Sequence, residues 1–198
     1  RNYTSYGKQV VEHLISGLRG YPIGIVSGLA LGIDGLAHEA ALGANLYTLA
    51  VPGSGLAEKV LYPARHRNLA RKIVESGGGL LSEYSPTTAA ATWTFPQRNR
   101  IMAGLCHATL LIEAGEKSGT LITARLAVDY NRELLVVPGN IFSSNSLGVH
   151  QFLKLGATPV TTADDIILTL GLTPEEHPTT LPLTLSPQEH AVLELLRE

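Results

Sequence analysis

Residues 23–38 read IGIVSGLALGIDGLAH. A short apolar run, Ile23 to Val26, breaks at Ser27-Gly28, and a helical pattern then runs from Ile33 to Leu42. A run too short for a helix, closed by a Gly-rich turn and followed by a helix, reads as strand–turn–helix. The same unit recurs along the chain. Leu46 to Val51 ends in PGSG (52–55) before a basic helical stretch over 65–76, and Gly79 to Ser82 leads into a loop. Thr109 to Ile112 ends in EAGEKSG (113–119) before a helix from Thr120 to Tyr130, and Leu134 to Val137 ends in PGN (138–140). Two further helices complete the pattern. Thr4 or Ser5 caps one that carries Val10, Val11, Leu14, Ile15 and Leu18 and stops at Gly20 and Pro22; the other spans about Gln97 to Cys106. Short apolar strands alternating with helices of this length predict a doubly wound α/β fold, with a mostly parallel sheet covered by helices on both faces.

With 198 residues, 44% of them apolar, the chain has material for one sizeable core and is too apolar to be disordered. The longest apolar runs fall well short of the roughly 18 residues that span a bilayer, and RNYTSYGKQ has no signal-peptide core. Secretion and membrane insertion are disfavoured. The single Cys106 excludes an intrachain disulfide and suits a reducing cytoplasm. The chain starts at Arg1 rather than Met, and SPQEHAVLELLRE (186–198) opens as a capped helix with Ser186, Pro187 and Glu189 in capping positions. Before it, Pro174, Pro178 and Pro182 interrupt a polar run. We therefore expect an α/β domain over 1–172, a Pro-rich linker over 173–185 and the truncated start of another domain over 186–198.

Four predicted strands end in Gly-containing loops: Ser27-Gly28, Gly53 with Gly55, Gly115 with Ser118-Gly119-Thr120, and Gly139. In a parallel sheet these ends share one edge, where the following helices point free N–H groups outward and an anion binds. Small residues there let a ligand approach the main chain. The G-x-G-x-x-G dinucleotide pattern fails at Glu58, and the Walker pattern fails because Glu116 precedes Lys117-Ser118. No G-x-S-x-G elbow surrounds Ser27, so Asp34 and His38 read as supports for loops rather than members of a catalytic triad. The His residues are scattered, and neither a metal site nor a cofactor is expected.

The net charge of −2 divides unevenly. Residues 1–110 hold 10 Lys and Arg against 6 Asp and Glu, a net of +4, whereas 111–198 hold 5 against 11, a net of −6. Lys59, Arg65, Arg67, Arg71 and Lys72 fall within fourteen residues, and Arg98 and Arg100 flank Asn99 near a predicted helix start, a place that suits phosphodiester oxygens. Tyr62, Tyr84, Trp93 and Phe95 lie close to these groups. They read either as stacking surfaces for bases or as core residues beside a solvated basic face.

The segments S27-G-L-A-L-G-I-D-G-L-A-H38, F95-P-Q-R-N-R100, E113-A-G-E-K-S-G-T-L-I-T-A124 and V137-P-G139, in this order, resemble the DNA-processing protein A family (DprA, also called Smf) over residues 1 to about 172. The resemblance implies a Rossmann-like domain that binds single-stranded DNA, forms a homodimer and helps load RecA recombinase during natural transformation. It further implies a first strand ahead of Arg1, Arg1 itself as a DNA contact, and a winged helix beginning at Ser186. On this reading Arg1, Arg98 and Arg100 contact phosphates, with Arg67 and Lys117 beside them. Ser27, Gly28, Gly53, Ser118, Gly119 and Thr120 offer backbone or hydroxyl donors, while Asp34, His38, Asn99 and Glu113 support the site. The family also resembles the cytokinin-activating phosphoribohydrolases, which is the enzymatic alternative. Alignment of Gly119-Thr120 with their signature puts Thr123 where the catalytic Glu stands, and Glu113 reads as structural.

Overall fold

A computed structural model describes residues 3–173. Arg1, the segment from Pro174 onward and the predicted helix after Ser186 lie outside the described residues. The elements run α1 (Ser5–Gly17), β1 (Ile25–Ser27), α2 (Ile33–Gly43), β2 (Thr48–Ala50), α3 (Arg67–Glu75) and β3 (Gly79–Leu80). There follow α4 (Thr94–Leu105), β4 (Ala108–Leu111), α5 (Thr120–Asp129), β5 (Glu133–Val136), α6 (Leu147–Lys154), β6 (Thr158–Pro159) and α7 (Ala163–Thr169).

The strands form two parallel three-stranded sheets, β1-β2-β3 and β4-β5-β6. Each is a βαβαβ unit, and two such units are the halves of a Rossmann-like fold. Register is regular: Ile25, Val26 and Ser27 pair with Thr48, Leu49 and Ala50, and Ala108 to Leu111 pair with Glu133 to Val136. The middle strands β2 and β5 are the buried ones, whereas β1 and β4, at the sheet edges, are half-buried along most of their length.

Three apolar clusters hold the layers. Val11, Leu14 and Ile15 of α1 meet Ala41 of α2, Leu135 of β5 and Ile166 and Ile167 of α7, with Ile25 and Leu110 packed against them. This cluster joins the two halves. Leu121 and Ala124 of α5 pack with Leu134, Val136, Val149 and Phe152 under the second sheet, and Leu69, Ala70 and Ile73 of α3 cover Ala50 of the first.

Local sequence sets the helix ends. Thr4 caps α1, its side chain accepting from Gly7 N at 3.0 Å. The helix ends at Gly17, short of the stop expected at Gly20, because Leu18 N already closes the last turn onto Ile15 O. At the other end of the fold, Thr162 and Asp165 form a capping box on α7. The helix expected from Gln97 begins instead at Thr94, since Pro96 falls in its first turn, where proline costs no hydrogen bond.

Candidate functional site

The loop after β1 is held from below by α2. Asp34, in the first turn of that helix, accepts from Gly28 N (3.0 Å) and Ala30 N (3.3 Å). Between these amides Leu29 sits fully buried at φ 59°, a left-handed conformation that a Leu side chain adopts only when its surroundings enforce it. Two hydrogen bonds to one carboxylate provide that enforcement. The expected supporting role of Asp34 thus has a definite geometry.

α4 ties this loop to its neighbours. The buried Thr94 hydroxyl lies 2.6 Å from Gly53 O and accepts from Ala91 N at 3.1 Å, so the helix start is fixed to the loop after β2. One turn on, Arg98 is only 4% exposed. Its Nη1 donates to Gly28 O at 2.8 Å and to Val51 O, and its Nε donates to Asn99 Oδ1 at 3.2 Å. Asn99 Nδ2 in turn donates to Gly119 O at 3.4 Å. Three strand-end loops are therefore linked through one Arg-Asn pair. This differs from the open guanidinium fork that the sequence suggests: with the helix starting at Thr94, Arg98 falls on its inner face. Burial draws the Arg98 pKa down and the Asp34 carboxylate opposes that shift, so the guanidinium stays charged. A Cβ on Gly28 would stand 2.6 Å from Arg98 Nη1, Arg98 Nη2 and Asp34 Oδ2, which explains the glycine.

Other cations divide into braces and free groups. Arg67 Nη2 donates to Lys59 O (2.6 Å) and its Nε to Leu61 O (3.3 Å), so it braces the 59–61 loop. Arg100 is exposed and pairs with Glu83. Lys117 is exposed and, among the described residues, takes part in no ion pair. Beside it Thr120 N donates to Ser118 Oγ (3.3 Å), and Gly119 is open enough that a Cβ would meet nothing within 4 Å.

The aromatic residues divide by exposure, Trp93 and Tyr62 facing solvent and Tyr84 and Phe95 half-buried. Trp93 is 59% exposed and lies edge-on to Tyr84 at 5.9 Å; Tyr62 is 45% exposed and lies 5.6 Å from Phe95, whose ring fills the space a Cβ on Gly53 would need. Glu113 accepts from the Thr4 backbone N (3.2 Å) and from the Thr4 hydroxyl, placing its charge at the α1 N-terminus, where the helix dipole favours it. His38 does not reach a neighbouring loop as expected. It is fully buried, with Nδ1 2.7 Å from Thr48 Oγ1 on β2. Burial lowers its pKa to about 4, the Ser27 backbone opposing and His66 and Arg98 adding to the fall. Ser27, Asp34 and His38 thus do not align as a triad, and Thr123 is buried in α5.

The sequence did not show which way Arg98 points, nor that Thr94 is an anchor. A Thr directly before Phe-Pro at a helix start was the available signal for the latter. Among the described residues, no group of three His, Cys, Asp or Glu is placed to hold a metal ion, and no helix is long and apolar enough to cross a membrane.

Two βαβαβ halves, with Gly-rich loops on the strand ends and cations and exposed rings around them, define a Rossmann-like protein whose ligand edge suits an anion. The chain belongs to the DNA recombination-mediator protein A family, whose sequence model matches residues 1–171. It is 40% identical over 167 residues to protein Smf of Escherichia coli K12, covering 84% of this chain and 44% of that protein. It is also 40% identical over 166 residues to DNA processing protein DprA of Bacillus subtilis, covering 84% and 55%. The chain spans about half the length of these curated relatives. Among solved structures, DprA of Streptococcus pneumoniae superposes with a TM-score of 0.76 at 39% identity, covering 83% of this chain and 57% of that one. DNA processing protein A of Helicobacter pylori, whose structure concerns its single-stranded DNA binding mode, gives 0.75 at 32%, covering 86% and 75%.

Proposed function

We propose that this chain binds single-stranded DNA without catalysing a reaction on it, and that it acts as a recombination mediator which protects incoming strands and helps load RecA in natural transformation. The observation that carries this reading is the junction of the loops after β1, β2 and β4 through Arg98 and Asn99, with exposed Lys117, Arg100, Trp93 and Tyr62 around it. Phosphates are met by Lys117, Arg100 and Arg1, and by the donors of Ser27, Gly53, Ser118, Gly119 and Thr120, whereas Gly28 N, expected among them, is taken by Asp34; bases stack on the exposed rings. Arg98, Arg67, Asp34, Asn99, His38 and Glu113 shape the site from within or beneath. Thr123 in place of a catalytic carboxylate favours binding over hydrolysis.

The same reading includes a homodimer in the cytoplasm, the 1–172 domain, the linker to residue 185 and a winged helix from Ser186. Titrating the chain with oligonucleotides of increasing length, while measuring the mass of the complexes, tests the proposal. Single strands should bind with affinity that levels off at a short site size, more tightly than duplexes of equal length. Stabilisation by a mononucleotide equal to that by an oligonucleotide, or release of free base from it, would contradict it.

A further inference from the structure

The loop that follows β5 exposes two adjacent apolar side chains. Ile141 is 71% exposed and Phe142 is 91% exposed, the latter among the most accessible large apolar residues described. Water-exposed apolar pairs of this kind mark contact sites when the backbone beneath them is fixed. Here it is fixed. Phe142 N donates to Asn140 Oδ1 (2.8 Å), Ser143 N to Asn140 O (3.0 Å), and Ser146 N to Ser143 O (3.0 Å). His150 Nε2 lies 3.1 Å from Gly139 O at the base of the turn.

The turn is also attached to the site. Ala114 N donates to Asn145 O (2.8 Å) and Gly148 N to Ala114 O (2.9 Å), so the loop packs directly on the segment that leads into Lys117, Ser118 and Gly119. A Cβ on Gly115 would touch Ser144 O at 3.4 Å. Because β4 and β5 are parallel, both loops leave the same sheet edge.

We infer that Phe142 is a base-stacking platform on the second half of the molecule, taking a nucleobase whose strand continues from the phosphate held at Lys117. An exposed ring on a hydrogen-bonded turn, packed on the segment that leads to the Lys117 cation, matches one nucleotide unit, base on one side and phosphate on the other. Stacking is indifferent to base identity, as a binder of arbitrary strands requires. The inference rests on the single-stranded DNA reading above and extends the strand's path away from Trp93 and Tyr62, which belong to the first half.

The test compares the parent chain with Phe142→Ala and Phe142→Trp on an oligothymidylate and on an abasic oligomer of equal length. Phe142→Ala should weaken binding to the thymidylate by about five- to a hundredfold, leave the abasic oligomer and the salt dependence unchanged, and be rescued by Phe142→Trp. The tryptophan variant should in addition show fluorescence quenching by thymidylate beyond that of the parent. Equal weakening on both oligomers, no weakening on either, or a loss of self-association with DNA binding intact overturns the inference. A parent chain that binds neither oligomer overturns the single-stranded DNA reading itself, and this inference with it.

Discussion

Replacing Arg98 by Ala removes the donor that Gly28 O and Val51 O share and leaves Asp34 without its buried counter-charge. Breaking a buried charged network of this kind costs roughly 3–5 kcal/mol, so Arg98→Ala should lose a large part of the chain's stability in urea denaturation. If Arg98 were instead a phosphate ligand, stability would stay within about 0.5 kcal/mol and only the salt dependence of binding would change. Gly119 gives the converse case. A methyl group there meets nothing within 4 Å, and its φ of −61° suits any residue. Gly119→Ala should therefore keep stability within about 0.5 kcal/mol while weakening single-strand binding, because a backbone phosphate needs the space the methyl fills. Binding equal to that of the parent would move the strand away from the α5 N-terminus.

At the scale of elements, His38 joins α2 to β2 through Thr48, whose hydroxyl donates on to Ile25 O at 2.9 Å. The folded chain holds this imidazole neutral down to a pKa of about 4, against about 6.5 when unfolded. Between these values the unfolded chain binds the extra proton, so stability falls as pH drops from about 6.5 to 4, by up to roughly 3 kcal/mol from this group. His38→Gln should flatten that part of the stability–pH curve even if it lowers the plateau at neutral pH. A curve of unchanged steepness would place the acid sensitivity elsewhere. The strand–turn–helix units were legible because each combines an apolar run with a Gly turn, both local signals; 23–38 is the clearest. The start of α4 was not, because Thr94, Phe95 and Pro96 carry no strong local helix signal, although proline is tolerated in a first turn. The direction of Arg98 depends on which face of α4 meets the strand ends, and the partner of His38 lies ten residues away on another element. Such information is tertiary and absent from local pattern. Asp34 was legible as a support, since an acidic residue in a first helical turn has a backbone use, whereas the helix start that Glu113 serves lies 109 residues away at Thr4.

For the molecule as a whole, the charge of −2 conceals a +4 half and a −6 half. The structure narrows the positive excess further, because Arg98 and Arg67 are taken up by backbone carbonyls and Arg100 is paired with Glu83. On the proposed reading the cations that remain make a confined track for a few nucleotides, with the field acting locally rather than over a broad duplex-binding face. Its phosphate contacts release counterions on binding, about 0.7 per contact for a single strand. The most direct test is the slope of log affinity against log salt concentration for a short single-stranded oligonucleotide. Three cationic contacts, Lys117, Arg100 and Arg1, predict a slope of about −2, reduced in magnitude by about 0.7 in Lys117→Ala. A slope near zero, or one that Lys117→Ala leaves unchanged, would contradict a strand bound along this edge.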